Sequence, residues 1–340
     1  MLKSVSVQLN YVSIPTIHAM TTSTDVGSLP FPKKFDEDRF LRGCELFERG
    51  RFQPRSADED EQKYFERIVC NGFIGKIASG IDIPCYPQYR DMITQFTGFY
   101  KIHEGYFTSM SEELLSEQGY NPQYTFIAEV DVLKKYAEQI SEMTGRGQVE
   151  FKACLTSPLD LSFKVSTDFL ISMARNAVID SKYLKTRIVT FDMPSFGYQM
   201  VWDRAIESCK NFFDGVKSTG RNVETALHLH SGNHRDLLEI ESLDIFEFHS
   251  QLLENPPVAE RELERYDKFL QIGVASTANL VELEPISTIR KRLKKAVDMF
   301  GNRVKYISPD CGLKGLDSHE RALKLMRMIS EVARETSNSQ

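Results

Sequence analysis

The feature that most constrains this chain is the regular alternation of short β-branched or apolar runs with long stretches of helical period. In the second half, candidate strands at Phe151–Leu155, Arg187–Phe191, Val223–Leu229, Asp244–Phe248, Phe269–Val274 and Val304–Ile307 alternate with helical patterns. These lie at Leu161–Ile179, Val201–Val216, His234–Glu241, Glu260–Asp267, Ile286–Met299 and Ser318–Ala333. A strand followed by a helix returns to a parallel neighbour, so the pattern predicts consecutive βα units. The first half adds weaker strands at Met20–Val26 and Gly80–Pro84, and helices at Phe35–Arg49, Asp60–Ile77, Arg90–Phe96 and Val130–Met143. Eight strands in a chain of 340 residues predict an α/β protein of the (β/α)8 TIM-barrel class. It would form a single domain over 21–336, preceded by an N-terminal arm at 1–20. No Gly-x-Gly-x-x-Gly follows any strand, which removes the usual dinucleotide reading.

Charge narrows the function. With 48 acidic and 42 basic residues the net charge is −6, against the Lys/Arg surplus a nucleic-acid face requires. The basic cluster Arg290, Lys291, Arg292, Lys294 and Lys295 lies opposite Ile289, Leu293 and Val297 on a helical pattern, the mark of a solvated helix face. No apolar run is long enough to span a bilayer, and no signal-peptide pattern opens the chain. Cys44, Cys70, Cys85, Cys154, Cys209 and Cys311 include no CxxC pair. Scattered thiols of this kind predict a reduced, cytoplasmic protein with no membrane partner.

The chemistry gathers at strand ends, where parallel barrels place it. His228 and His230, in Ala226-Leu-His-Leu-His-Ser-Gly-Asn-His234, are two apart and so face the same way from a strand, either as half of a metal site or as a structural or substrate-contacting pair. Glu247 sits among Ile245, Phe246 and Phe248, where a carboxylate needs a cation or a metal as partner. Cys311 follows Pro309, which ends the last strand, and precedes Gly312 on a loop at the same face. His234 and His249 lie nearby, as outer hydrogen-bond donors or as surface groups.

Ser308-Pro-Asp-Cys-Gly-Leu-Lys314 resembles the PDCGLK signature of cobalamin-independent methionine synthase. Further segments are similar to that family in the same order: Thr22-Ser-Thr-Asp-Val-Gly-Ser-Leu-Pro30, Arg90-Asp91-Met92 followed by Phe96, Thr156-Ser-Pro158, Phe191-Asp-Met-Pro-Ser195 and His228-Leu-His-Ser-Gly-Asn233. They match the short, single-barrel catalytic form, within the superfamily that includes uroporphyrinogen decarboxylase and coenzyme M methyltransferases.

The resemblance implies a zinc ion held by His228, His230, Glu247 and Cys311, with Glu247 the ligand that exchanges, and a thiol, homocysteine first, activated for methyl transfer to give methionine. It implies that Asp192 holds the substrate amino group and that Gly27 and Ser28 contact its carboxylate. The chain also departs from the family. His230 stands where the family has Cys, Cys85-Tyr-Pro-Gln88 lacks the family's glutamate, and Ser276-Thr277-Ala278 lacks the histidine on the folate side. Trp202, the single Trp, lies away from Thr156-Ser-Pro158. These departures weaken methyltetrahydrofolate as donor and favour a methyl-corrinoid or a corrinoid protein. Coenzyme M as acceptor, a uroporphyrinogen decarboxylase-like activity and a non-catalytic corrinoid- or thiol-binding barrel are the alternatives.

Overall fold

The computed structural model of the protein describes residues 21–52, 59–108, 119–195, 202–230, 235–278 and 282–338. The predicted arm at 1–20 lies outside them, as does the 231–234 stretch that carries Asn233 and His234. In chain order the elements are β1 (Thr22–Ser23), α1 (Glu37–Arg49), α2 (Glu59–Ala78), α3 (Met92–Thr108), α4 (Ala128–Lys135), α5 (Ala137–Thr144), β2 (Val149–Thr156), α6 (Thr167–Ala177), β3 (Leu184–Asp192), α7 (Trp202–Lys217), β4 (Glu224–His228), β5 (Ile245–Phe248), α8 (Glu260–Arg265), β6 (Phe269–Ala275), α9 (Ile286–Phe300), β7 (Val304–Pro309) and α10 (His319–Asn338).

The strands form one parallel sheet of seven in the order β1-β7-β6-β5-β4-β3-β2, curled into a half-barrel. The strand predicted at Gly80–Pro84 is reduced to isolated parallel bridges. Ile83 and Gln88 pair with Thr24 and Ser28 beside one edge, and Cys85 pairs with Lys152 of β2 at the other. Pro84 and Pro87 have no N–H to donate, so a regular ladder cannot run through this stretch. What remains is Ile83 N to Ser23 O at 3.1 Å, Gln88 N to Gly27 O at 3.2 Å and Leu29 N to Gln88 O at 3.1 Å on one side, and Lys152 N to Pro84 O at 2.9 Å and Tyr86 N to Lys152 O at 3.2 Å on the other.

Local chemistry sets the helix ends. Asp36 caps α1 by accepting from Arg39 N, and Ser166 caps α6 by accepting from Phe169 N. Asp91 accepts from Ile93 N and Thr94 N at the start of α3, while Arg90 beside it is clamped between Glu48 and Glu129. The single helix predicted over Val130–Met143 is broken at Tyr136 into α4 and α5. The helix predicted at His234–Glu241 is a short 3-10 turn, Arg235–Leu237, in its described part. The basic face of α9 is solvated and paired: Arg290 with Glu335, Arg292 with Glu284, Lys294 with Asp298 and Lys295 with Glu254. Among the described residues, no helix is long and apolar enough to cross a membrane.

The period of two along each strand stacks the inward side chains in layers. Ile188, Ala226, Ile245 and Tyr306 form a small cluster with Ile83, separate from the main core between sheet and helices. Two residues further along the same strands stand Thr190, His228, Glu247 and Ser308, and two further again Asp192, His230, His249 and Asp310. The lumen is therefore apolar below and polar toward the C-terminal strand ends.

One buried group lies away from this face. His103 of α3 is enclosed by Phe52, Phe99, Phe107, Tyr120 and Phe169. Its Nε2 lies 3.3 Å from Asn121 O, and its Nδ1 is buried without a partner. Burial pushes the imidazole down to about 4, against a small upward pull from the Asn121 carbonyl. The unfolded chain, titrating near 6.5, then binds the proton that the folded chain refuses. Stability from His103 is complete above about pH 6.5 and is lost as pH falls toward about 4. His103→Phe, which fits the aromatic cage, is expected to flatten the melting temperature against pH in that window. An unchanged slope would show that His103 does not carry it.

Candidate metal centre

β4 and β5 run side by side with His228 opposite Glu247. Beyond the strand ends, His230 follows His228 and His249 follows Glu247, while Cys311 sits just past β7. These loops bring four donors together: His228, His230, His249 and Cys311 each offer one ligand atom, and all four atoms lie within 4.8 Å of one another. His228 Nε2 is 3.2 Å from His230 Nε2, and Cys311 Sγ is 3.6 Å from His230 Nε2. A tetrahedral zinc site with ordinary Zn–N and Zn–S bonds has ligand–ligand edges of about 3.3–3.8 Å. The donor set is of the type zinc takes, and the spacing fits it. His249 Nε2 adds a second sign, a buried ring nitrogen without a hydrogen-bond partner.

The cluster is polarised without any ion. Burial raises the Cys311 thiol, but the imidazoles of His228, His230 and His249 around it outweigh burial and bring the group down to about 3. Burial lowers His228, but Cys311, Glu247 and Asp192 together raise it to about 10. The Cys311 shift favours the thiolate, the form in which cysteine binds metal.

Glu247, expected among the metal ligands, is not in the cluster. Its Oε1 accepts from Lys152 Nζ at 2.6 Å and from Thr190 Oγ1 at 2.8 Å, and its Oε2 accepts from Gln271 Nε2 at 3.0 Å. The same Oε2 lies 3.3 Å from His228 Nδ1, an ion-pair contact rather than an aligned hydrogen bond. Burial alone would raise this carboxyl, but the Lys152 ammonium, with His228, holds it down at about 2. Glu247 shares the layer of His228, one pleat below His230 and His249, and its carboxylate is engaged by Lys152, Thr190 and Gln271. Lys152 was legible only as a polar position in an apolar run, Phe151–Leu155.

Asp192 ends β3, in register with both Thr156 and His228. Burial pushes its carboxyl up to about 6, against the pull of His228, and its Oδ1 is buried without a hydrogen-bond partner. Gly27 and Ser28 form a loop seated on the one that carries Cys311. Ser28 O accepts from Leu313 N at 3.0 Å, and Ser28 Oγ from Lys314 N at 3.3 Å. Gly27 has φ +132°, a conformation that favours glycine. A Cβ at Gly312 would run into the Ser28 hydroxyl, so that close approach also requires glycine.

Fold and site together define a parallel α/β half-barrel with a nitrogen and sulfur donor cluster at the C-terminal ends of its strands. No family model matches the chain. Methionine synthase of Sulfurisphaera tokodaii is 21% identical over 327 residues, 90% of this chain and 90% of that one. Among solved structures, a B12-independent methionine synthase from Shewanella sp. W3-18-1, in complex with selenomethionine, matches with a TM-score of 0.56 at 18% identity, over 95% of this chain and 100% of that one. A methyltransferase from Methanosarcina mazei matches with a TM-score of 0.57 at 13% identity, over 95% of each chain. The chain is similar in sequence to a methionine synthase and in fold to a B12-independent methionine synthase.

Proposed function

We propose that the protein is a zinc-dependent S-methyltransferase whose acceptor is homocysteine and whose product is methionine. One observation carries the reading: two strand-end histidines and the cysteine of the resembling signature converge within bonding reach of a single ion. They do so in a chain that aligns over 90% of its length with a protein named methionine synthase. In this reading the segment 82–88, which touches both sheet edges, is the eighth stave of a closed (β/α)8 barrel, and 21–336 is one catalytic domain of a cytoplasmic enzyme.

Zinc held by the strand-end donors would supply a positive charge that lets a substrate thiol ionise near neutral pH. The chain's own residues do the rest. Asp192, with a free buried oxygen facing the site, receives the amino group of the acceptor. The Gly27–Ser28 backbone meets its carboxylate. Ser276-Thr277-Ala278 presents no proton donor of imidazole type, which favours a methyl-corrinoid, whose leaving group takes no proton, over methyltetrahydrofolate.

The test is methionine formation by zinc-loaded protein from homocysteine with methylcobalamin or methyltetrahydrofolate, and with coenzyme M as a rival thiol. Methionine from homocysteine, faster with methylcobalamin, is expected; no methylated thiol with either donor would sink the reading. In Asp192→Asn the lost charge-assisted hydrogen bond, about 1.5–3 kcal/mol, should lower kcat/KM for homocysteine by roughly 10- to 150-fold. Methylation of coenzyme M, which has no amino group, should change little.

A further inference from the structure

The proposed function leaves open which group completes the metal site, and the contacts of Glu247 and His249 bear on it directly. A zinc site of this family type has a glutamate in the set, and this chain has one at the expected strand end. Yet its carboxylate is taken up by Lys152, Thr190 and Gln271, beside His228 but outside the cluster of donor atoms. Lys152, fully buried, has no other anion at its ammonium among the described residues; its remaining hydrogen bond there is to Gln271 Oε1 at 3.2 Å. Moving Glu247 onto an ion above would strand that ammonium in the lumen, a buried charge without its partner.

His249, in contrast, is held beside the other donors. The residue after it, Ser250, donates its N–H to Asp310 Oδ1 at 2.9 Å and its hydroxyl to Asp310 Oδ2 at 3.1 Å. Asp310 immediately precedes Cys311, so one carboxylate ties the His249 turn to the Cys311 loop. Gly273 of β6 makes room for it, since a Cβ there would meet the Asp310 carboxylate. Two ligand-bearing loops fastened together in advance are what a preformed metal site requires.

We infer that the metal of this protein is held by three imidazoles and one thiolate, His228, His230, His249 and Cys311. Glu247 is an outer carboxylate that positions the His228 ring, itself kept in place by Lys152. The inference rests on the proposed metal site but not on its chemistry. Its consequence is electrostatic: with one thiolate and no carboxylate, a zinc complex here carries a net positive charge. That favours binding an anionic thiolate, at the expense of the sulfur's nucleophilicity.

Cobalt(II) replaces zinc as the probe, read by titration and by its visible and near-ultraviolet bands. The wild-type protein is expected to bind one Co2+ per chain, with sulfur-to-cobalt charge transfer and the strong visible bands of a tetrahedral site. His249→Ala should displace the visible bands as well as weaken binding. Glu247→Gln should weaken binding by roughly 10- to 100-fold, the usual cost of losing an outer partner, with its bands where the wild type has them. Should Glu247→Gln alone not fold, Lys152→Met/Glu247→Gln removes both buried charges together and gives the same reading. Bands that move in Glu247→Gln, or that stay fixed in His249→Ala, overturn the assignment while leaving the metal reading intact. A wild-type protein that takes up no Co2+ overturns both.

Discussion

Cys311→Ala is expected to abolish tight zinc binding, from about one ion per chain to a small fraction of that, and thiol methylation with it. The size of the effect follows from the charge of the donor set. In the proposed site three histidines would be neutral ligands, and Cys311, brought down to about 3 by the imidazoles around it, is the one anion in the cluster. Removing it takes away the only ligand charge facing a divalent ion as well as one bond. His230→Ala removes a neutral ligand from the same set and should leave weaker but measurable binding. Elemental analysis of both variants after dialysis checks the order. Equal zinc content in Cys311→Ala and wild type would dismiss the cluster as a metal site. The fold should survive: Cys311 is half-buried on a loop, and the packing of β7 does not depend on it.

The legible part of this protein was what period and local chemistry encode. Six strands of the second half appear within a few residues of their apolar runs because both faces of a parallel strand are covered, and continuous burial writes itself into the sequence. His228 and His230 could be paired on one face by the period of two alone. What could not be read was which side chain joins the donors. Glu247 and His249 share a face, and nothing in Ile245-Phe-Glu-Phe-His249 separates them. Register alone does not decide it, since His228 lies opposite Glu247; it depends on what the Glu247 carboxylate meets across the lumen, a tertiary fact. The partner of Glu247 was equally hidden, because Lys152 is 95 positions away and meets it only across the lumen. The missing eighth strand has a local cause that was in plain view, Pro84 and Pro87, but its role beside both sheet edges emerges only once the sheet curls.

The loop proposed to receive the acceptor's carboxylate depends on a second buried ion pair, and breaking it is expected to have the largest effect on stability. Lys76 of α2 and Asp25 are both fully buried, with Nζ to Oδ2 at 2.6 Å. The same ammonium donates to Gly27 O at 2.7 Å and to Cys85 O at 3.1 Å, and Asp25 Oδ1 accepts from Cys85 N at 2.7 Å. Lys76 thus joins the segment after β1 to the irregular stretch at 82–88, where the backbone ladder is thinnest. Lys76→Met keeps most of the side-chain volume but leaves the Asp25 carboxylate uncompensated, which costs about 3–5 kcal/mol in such sites. Lys76→Met/Asp25→Asn removes both charges, and should recover much of the loss while still lacking the tie to Gly27 O. Urea unfolding of the two variants measures both steps. In the double variant, KM for homocysteine should rise more than kcat falls, because the loop is displaced and the donor cluster is not. A loss below about 1 kcal/mol in Lys76→Met, the range of a solvated surface bridge, would mean that water reaches this pair and that the Gly27 loop is held by its contacts to Leu313 and Lys314 instead.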